Sequence, residues 1–184
     1  MENDMPKSKK PRKPHRKVST LAGLRAASAL SQILIRGNGV WTRDDRLGFG
    51  LAFLEPFAAI RFSKGKDPYL MEYFRLAKVQ LTFAWGLTNW YAEDEKVAER
   101  EKLAEANLAF QTVFNVWQRH GRILYPQLKL CRTRMAEQFE TLLDNFEPYE
   151  IASQRYAMAK APAFYDRAEE EMDSKLHFKE MNYV

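Results

Sequence analysis

The residues whose side chains could perform catalysis or bind a metal are few in this chain. Histidine occurs three times, at His15, His120 and His177, and cysteine occurs once, at Cys131. Metal sites in helical bundles typically use a glutamate followed three residues later by a histidine, and the sequence contains no such pair. Cys131 falls on an apolar stripe of a predicted helix, where a structural thiol is expected rather than a nucleophile. We therefore expect no metal site and no cofactor.

The glycines do not form a phosphate-binding loop. Gly37 and Gly39 are separated by one residue, as are Gly48 and Gly50. Neither pair has the spacing or the preceding strand that such loops require. Nucleophile-elbow and kinase signatures do not occur either. We expect a protein that is not an enzyme. The alternative is an enzyme whose active-site pocket is formed by polar groups that converge only in the folded chain.

The strongest signal in the sequence is the distribution of charge. The chain has 184 residues and a formal net charge of +5. Residues 18–184 contain 22 basic and 22 acidic side chains, so the whole excess belongs to residues 1–17. Three prolines in this stretch oppose helix formation and charge repulsion extends the chain, which predicts a disordered arm over residues 1–18. The bases of the arm are Lys7, Lys9, Lys10, Arg12, Lys13, Arg16 and Lys17.

A basic arm of this kind indicates an acidic partner. The phosphates of DNA or RNA are the first candidate, because lysine and arginine displace the counterions that condense on a nucleic acid. A protein or membrane surface is one alternative, and a solvated tail without a specific partner is another. The arm could also dock on the acidic C-terminal region of the same chain. We expect nucleic-acid binding.

A second basic stretch follows much later in the chain. Residues 119–136 carry five bases and no acid, whereas residues 137–184 carry eleven acids and five bases. Two of the bases lie three residues apart on a predicted helix and can share one face. Two others flank a predicted turn beside that helix. The alternative interpretation is ordinary charge complementarity to a helix C-terminus. The candidate nucleic-acid contacts are Arg119, Arg122, Lys129 and Arg132.

The aromatic residues supply a second functional hypothesis. Most of them fall on predicted apolar stripes, where core packing accounts for them. Trp41, Trp90 and Tyr91 do not, and exposed aromatic rings are frequent anchors in protein–protein interfaces. The alternative function is therefore an adaptor that binds a host protein, or an inhibitor of a host system. It would act through these rings and the acidic residues 137–184.

The positioning of all these residues depends on a helical body. Apolar residues recur at steps of three and four along most of the chain, which predicts an all-α fold, and no alternating β-branched run indicates a strand. We predict a single-domain bundle of about five long and two short helices over residues 19–176, followed by a tail at 177–184. Predicted helix starts are Ser19 or Thr20, Thr42, Asp67 with Pro68, Glu93, Pro126, Pro148 and Pro162; predicted ends lie near Arg36, Tyr91, Gly121, Ala159 and Lys175.

The second predicted helix has two special features. Pro56 lies inside it and predicts a kink or a break near Leu54. The helix is also apolar on most sides, with Leu47, Phe49 and Phe53 among its residues. Such a pattern is typical of a central, buried helix.

Composition also bears on the compartment. No apolar run reaches the roughly 18–20 residues that span a bilayer, and a single cysteine is compatible with a reducing environment. We expect a cytoplasmic protein without a membrane span, associated with the nucleoid if its partner is DNA. A cleaved targeting segment is the alternative. No sequence pattern indicates an oligomeric state.

Two short segments carry a resemblance. Lys10-Pro11-Arg12-Lys13-Pro14-His15-Arg16, followed by a helical body, resembles the opening of small uncharacterised helical accessory proteins of proteobacterial phages and plasmids. Thr42-Arg43-Asp44-Asp45 before an apolar helix is a second similarity. The present chain differs by its longer aromatic and acidic C-terminal part. The resemblance implies an accessory protein of a mobile element, and it carries over no activity and no functional site.

Overall fold

The structure is a computed structural model that describes residues 30–37 and 39–181, with side chains through residue 176. It contains no strand within these ranges, so the all-α prediction is confirmed. The helices are α1 (residues 30–36), α2 (Arg43–Phe62), α3 (Leu70–Leu87), a 3-10 turn (Thr88–Trp90), α4 (Glu93–His120), α5 (Tyr125–Asn145), α6 (Pro148–Lys160) and α7 (Pro162–Met181).

Successive long helices run in alternating directions. Along α4 and α5, Glu99 contacts Gln138 and Glu105 contacts Arg134, so the two helices are antiparallel. Helices α2, α3 and α4 alternate in the same manner because short loops connect them. As a result, the loop between α2 and α3 and the loop between α4 and α5 lie at the same end of the bundle. Helix α7 packs on α3 and α4.

Helix α3 is the centre of the fold. It contacts α2, α4, α6 and α7, and most of its residues are buried. The prediction that α2 is the central helix is wrong, because Leu47 is exposed and only one side of α2 is covered. The apolar stripes predicted for α3, α4 and α5 are confirmed. Their fully enclosed members include Leu81, Leu103 and Met135.

The helix boundaries follow local chemistry, with four corrections. Helix α3, predicted to end near Tyr91, ends at Leu87 and is followed by the 3-10 turn Thr88–Trp90. The predicted start of the first helix, at Ser19 or Thr20, lies outside the described residues. Helix α2 continues through Pro56 without a break. Helix α3 begins at Leu70 rather than at Pro68, because the Asp67 carboxylate caps a preceding turn by accepting a hydrogen bond from the Tyr69 amide at 2.8 Å. Helix α7 extends to Met181, so residues 177–181, predicted as a tail, belong to a helix.

Two helix termini match the sequence pattern closely. Helix α2 begins with a capping box in which Thr42 and Asp45 each accept a hydrogen bond from the other's backbone amide. Helix α4 begins with three acidic residues and ends at Gly121, whose φ of 65° is the left-handed conformation that glycine tolerates best. Gly121 therefore ends α4 and begins the connection to α5.

Candidate nucleic-acid interface

The α2–α3 loop (residues 63–69) and the α4–α5 turn (residues 121–124) are in direct contact. A Cβ atom placed on Gly65 would lie 2.7 Å from the carbonyl oxygen of Gly121, closer than any side chain tolerates. The indole Nε1 of Trp117 also lies 3.4 Å from the carbonyl oxygen of Gly65. Both loops are therefore held together at one end of the bundle.

Each of the two loops brings exposed bases to this end. Lys64 and Lys66 come from the α2–α3 loop, and Arg119 and Arg122 flank the C-cap of α4; all four are exposed. The loop also contains Asp67, whose carboxylate is engaged in the turn before α3. Segments that are remote in sequence thus form one basic region.

The basic region continues along one side of α5. Tyr125, Lys129 and Arg132 are spaced by four and three residues, so they lie on one helical face. Phe139, seven residues after Arg132 on that face, packs against Gly50 of α2. The face therefore borders α2, whose last turn carries the remaining base of the set. We call the whole set the basic surface: Arg61, Lys64, Lys66, Arg119, Arg122, Lys129 and Arg132.

The basic surface is not neutralised by neighbouring carboxylates. None of its seven members forms a salt bridge with any side chain that the structure describes. Arg134, the fifth base of the stretch 119–136, behaves differently, because it pairs with Glu105 at 2.7 Å and with Glu137 at 3.0 Å. These two carboxylates raise the pKa of the Arg134 guanidinium through hydrogen bonds. Arg134 therefore stabilises the contact between α4 and α5, and we do not include it in the basic surface.

Acidic residues collect at the opposite end of the bundle. They occupy the first turn of α4 and the connection between α5 and α6, both of which lie far from the basic surface because the helices alternate in direction. Acidic side chains consequently outnumber basic ones at this end, which also holds Arg43, Arg46 and Lys96. The acidic residues of that end are Glu93, Asp94, Glu95, Asp144, Glu147 and Glu150.

Two of the three rings predicted for protein binding take part in internal packing. Tyr91 is only 8% exposed, because its ring packs 5.7 Å from that of Phe146, and the prediction that it is accessible is wrong. Trp41 is partly buried and donates its indole N–H to the Phe146 carbonyl oxygen at 2.8 Å. This hydrogen bond connects the start of α2 to the end of α5. Of the three predicted rings, Trp90 alone remains widely exposed.

Sequence reasoning missed five members of this region. Arg61, Lys64 and Lys66 were not predicted as nucleic-acid contacts, although residues 61–66 contain three bases and no acid. The exposed rings of Phe62 and Tyr125 were not predicted as contacts either. The available signal was topological: in a bundle of alternating helices, the second and fourth connections meet at one end.

The remaining residues singled out in the sequence lie in the arm, on α5 and at the end of α4. The arm bases, at residues 7–17, lie outside the described residues. In the part of the chain that the structure covers, no three His, Cys, Asp or Glu side chains are grouped so that they could hold a metal ion. Cys131 is fully buried, and burial raises the pKa of its thiol. His120 is exposed at the end of α4, beside the basic surface.

Comparison with protein-family models, with curated proteins and with solved structures gives no match for this chain. None of the described helices combines the length and the apolar character needed to cross a membrane. The basic surface is therefore the feature of the described residues that indicates a function.

Proposed function

We propose that this protein binds nucleic acid, with its basic surface against the phosphates and its basic arm as a second contact. The observation that carries the proposal is the contact between Gly65 and Gly121, which joins two basic loops into one surface without carboxylate partners among the described residues. An accessory role in a mobile element, at the nucleoid or elsewhere in the cytoplasm, remains part of this proposal.

The charge arrangement suits a phosphate backbone. Each lysine or arginine that neutralises a phosphate releases counterions, so binding weakens steeply as salt is added. The acids at the far end of the bundle are repelled by the same phosphates, which favours approach with the basic surface forward. Both effects act without base-specific contacts, so this surface by itself predicts affinity rather than sequence recognition.

The protein-binding alternative has less support. Two of its three proposed anchors, Trp41 and Tyr91, take part in internal packing. What remains for it is the exposed ring of Trp90 and an acidic strip along α7 that includes Asp166, Glu169 and Glu170. An acidic strip that is open to solvent is most often a solvated helix face.

A salt titration of full-length protein tests the proposal. Fluorescence polarisation of a labelled 20-nucleotide probe is measured from low to moderate salt. The logarithm of the association constant should fall linearly with the logarithm of the salt concentration. Changing Lys64, Lys66, Arg119 and Arg122 to glutamine should weaken binding at least tenfold at low salt and flatten the slope. Each lost contact contributes about 0.9 to the slope on duplex DNA and about 0.7 on single strands.

A matched variant separates this effect from net charge. Arg43, Lys160, Arg167 and Lys175 are exposed and form no salt bridge with described residues. Changing these four to glutamine removes four positive charges, as in the first variant, but outside the basic surface. This variant should keep most of the affinity for the probe. A full-length variant with glutamines at the seven arm bases measures the contribution of the arm. The proposal fails if the unaltered protein shows no binding at low salt, or if both quadruple variants lose affinity equally.

A further inference from the structure

We propose that the nucleic acid bound by the basic surface is single-stranded and that its bases stack on the rings of Phe62 and Tyr125. This inference rests on the proposed function and specifies its ligand. In a duplex, the flat faces of the bases are stacked on one another and only phosphates and base edges are accessible. In a single strand both the faces and the phosphates are available.

Phe62 presents an unusually open ring. It is the last residue of α2 and is 74% exposed, although phenylalanine is a side chain that proteins ordinarily bury. The guanidinium carbon of Arg61 lies 5.7 Å from the centre of this ring. Lys64 follows two residues later in the contacting loop. A base that stacks on the open face of Phe62 would therefore have the Arg61 guanidinium close to the same ring and a lysine two residues further along the chain.

Tyr125 supplies a second ring on the same surface. It is the first residue of α5 and is 46% exposed. Arg122 precedes it by three residues, and Lys129 follows one helical turn later on the same face. Because α5 borders α2, the phosphates of one strand can follow the basic surface while its bases reach the two rings. This alternation of rings and bases is typical of proteins that bind single strands without strong sequence preference.

The charged setting, rather than exposure alone, distinguishes these rings. Tyr156 on α6 is 57% exposed, and the Lys160 ammonium lies 5.5 Å from its ring centre. Like Phe62, it is an exposed ring with a cationic side chain close to it. However, α6 packs on the half of α3 near Gln80 and Gly86, away from the basic surface. Tyr156 is therefore a suitable control for a general effect of removing an exposed ring.

The test compares a labelled 20-nucleotide thymidine strand with a labelled 20-base-pair duplex at one salt concentration, using full-length protein. The single strand should bind at least tenfold tighter than the duplex. Phe62→Ala and Tyr125→Ala should each weaken single-strand binding about fivefold or more, as the loss of one base–ring stack does, and should leave duplex binding unchanged. Phe62→Leu should behave like Phe62→Ala, because leucine keeps apolar area but has no ring.

The outcomes distinguish the two proposals. If neither probe binds at low salt, the proposed function fails, and this inference fails with it. If the duplex binds as tightly as the strand, or if the ring variants bind the strand like the unaltered protein, the single-strand inference is overturned while nucleic-acid binding stands. Tyr156→Ala should have no effect on either probe. An unchanged melting temperature for each variant shows that lost binding does not come from lost folding.

Discussion

The carbonyl oxygen of Gly121 occupies the space that a side chain on Gly65 would need. Gly65 also has a φ of 77°, which residues with a Cβ rarely adopt. Glycine is therefore required at this position for two separate reasons. The approach of the two backbones brings the α2–α3 loop onto the α4–α5 turn, and it thereby assembles the basic surface.

Gly65→Ala is expected to destabilise the protein by about 2 kcal/mol or more, because it combines left-handed backbone strain with a clash against fixed backbone. Gly121→Ala is the matched control. Gly121 has a φ of 65° but no atom within 4 Å of an added Cβ, so its substitution should cost about 1 kcal/mol. Urea unfolding measures both values. Equal losses would show that the contact between the loops is not tight.

The attachment of α7 provides a second prediction. The Lys78 ammonium, whose side chain is 15% exposed, lies 2.6 Å from the Asp173 carboxylate and 2.9 Å from the Asn107 amide oxygen. Asn107 in turn donates to Asp173 at 2.9 Å, so three helices share one network. Asp173→Ala should destabilise the protein by about 1–3 kcal/mol, because the buried Asn107 amide loses its acceptor and the partly buried Lys78 ammonium keeps only Asn107 as a described partner.

Further variants test this explanation of the α7 network. The loss of stability in the double variant Lys78→Met with Asp173→Ala should be smaller than the sum of the losses in the two single variants, because the two side chains contact each other directly. Glu72→Ala removes an exposed ion pair with Arg75 and should change stability by less than about 1 kcal/mol. If the losses of the two single variants simply add in the double variant, the contact between Lys78 and Asp173 is not the source of the loss.

The junction between α1 and α2 should depend on pH through Asp45. Burial by itself raises the pKa of the Asp45 carboxyl, but hydrogen bonds from Arg36 and Thr42 outweigh it and hold the pKa below its ordinary value. A lowered pKa means that this stabilisation is fully present above the unfolded-state pKa of about 4. It is lost as the pH falls through the lower pKa of the folded state.

Asp45→Asn isolates this contribution. The melting temperature of the unaltered protein should exceed that of the variant by a constant amount above about pH 5, and the difference should shrink below about pH 4. Other carboxylates titrate in both proteins and cancel in the difference. A difference that stays constant down to pH 3 would contradict the assignment.

Cys131 offers a probe of global opening. Its side chain is fully buried and the pKa of its thiol is raised by burial, so the folded protein should react with a thiol reagent only when it unfolds. The reaction in native buffer should be about 10³-fold or more slower than in denaturant. The control places a cysteine at the exposed Ala136 in a Cys131→Ala background, where the reaction should be fast in both conditions. Comparable fast rates for Cys131 itself would disprove its burial.

Much of the fold could be predicted because it depends on neighbouring residues. Helix α4 shows this clearly. Its acidic first turn, its end at Gly121 and its apolar stripe, which includes Leu103 and Val113, were each predicted from residues close together in the sequence. The structure confirms all three. The start of α3 was misplaced because Asp67 caps a turn before the helix rather than the helix itself. The exposure of Tyr91 was mispredicted because its neighbour, Phe146, comes from a distant part of the chain.

The sequence by itself determined the helices, the identity of most core residues and the excess of positive charge in the arm, since each depends on residue types at short spacing. Only the tertiary structure decided which charges lie together. Lys66 belongs to the α2–α3 loop and Arg119 to the last turn of α4. They lie at the same end because alternating helices return the chain to that end and because Gly65 lets two backbones touch. The candidate interface is therefore a product of topology and backbone packing, which no local sequence pattern records.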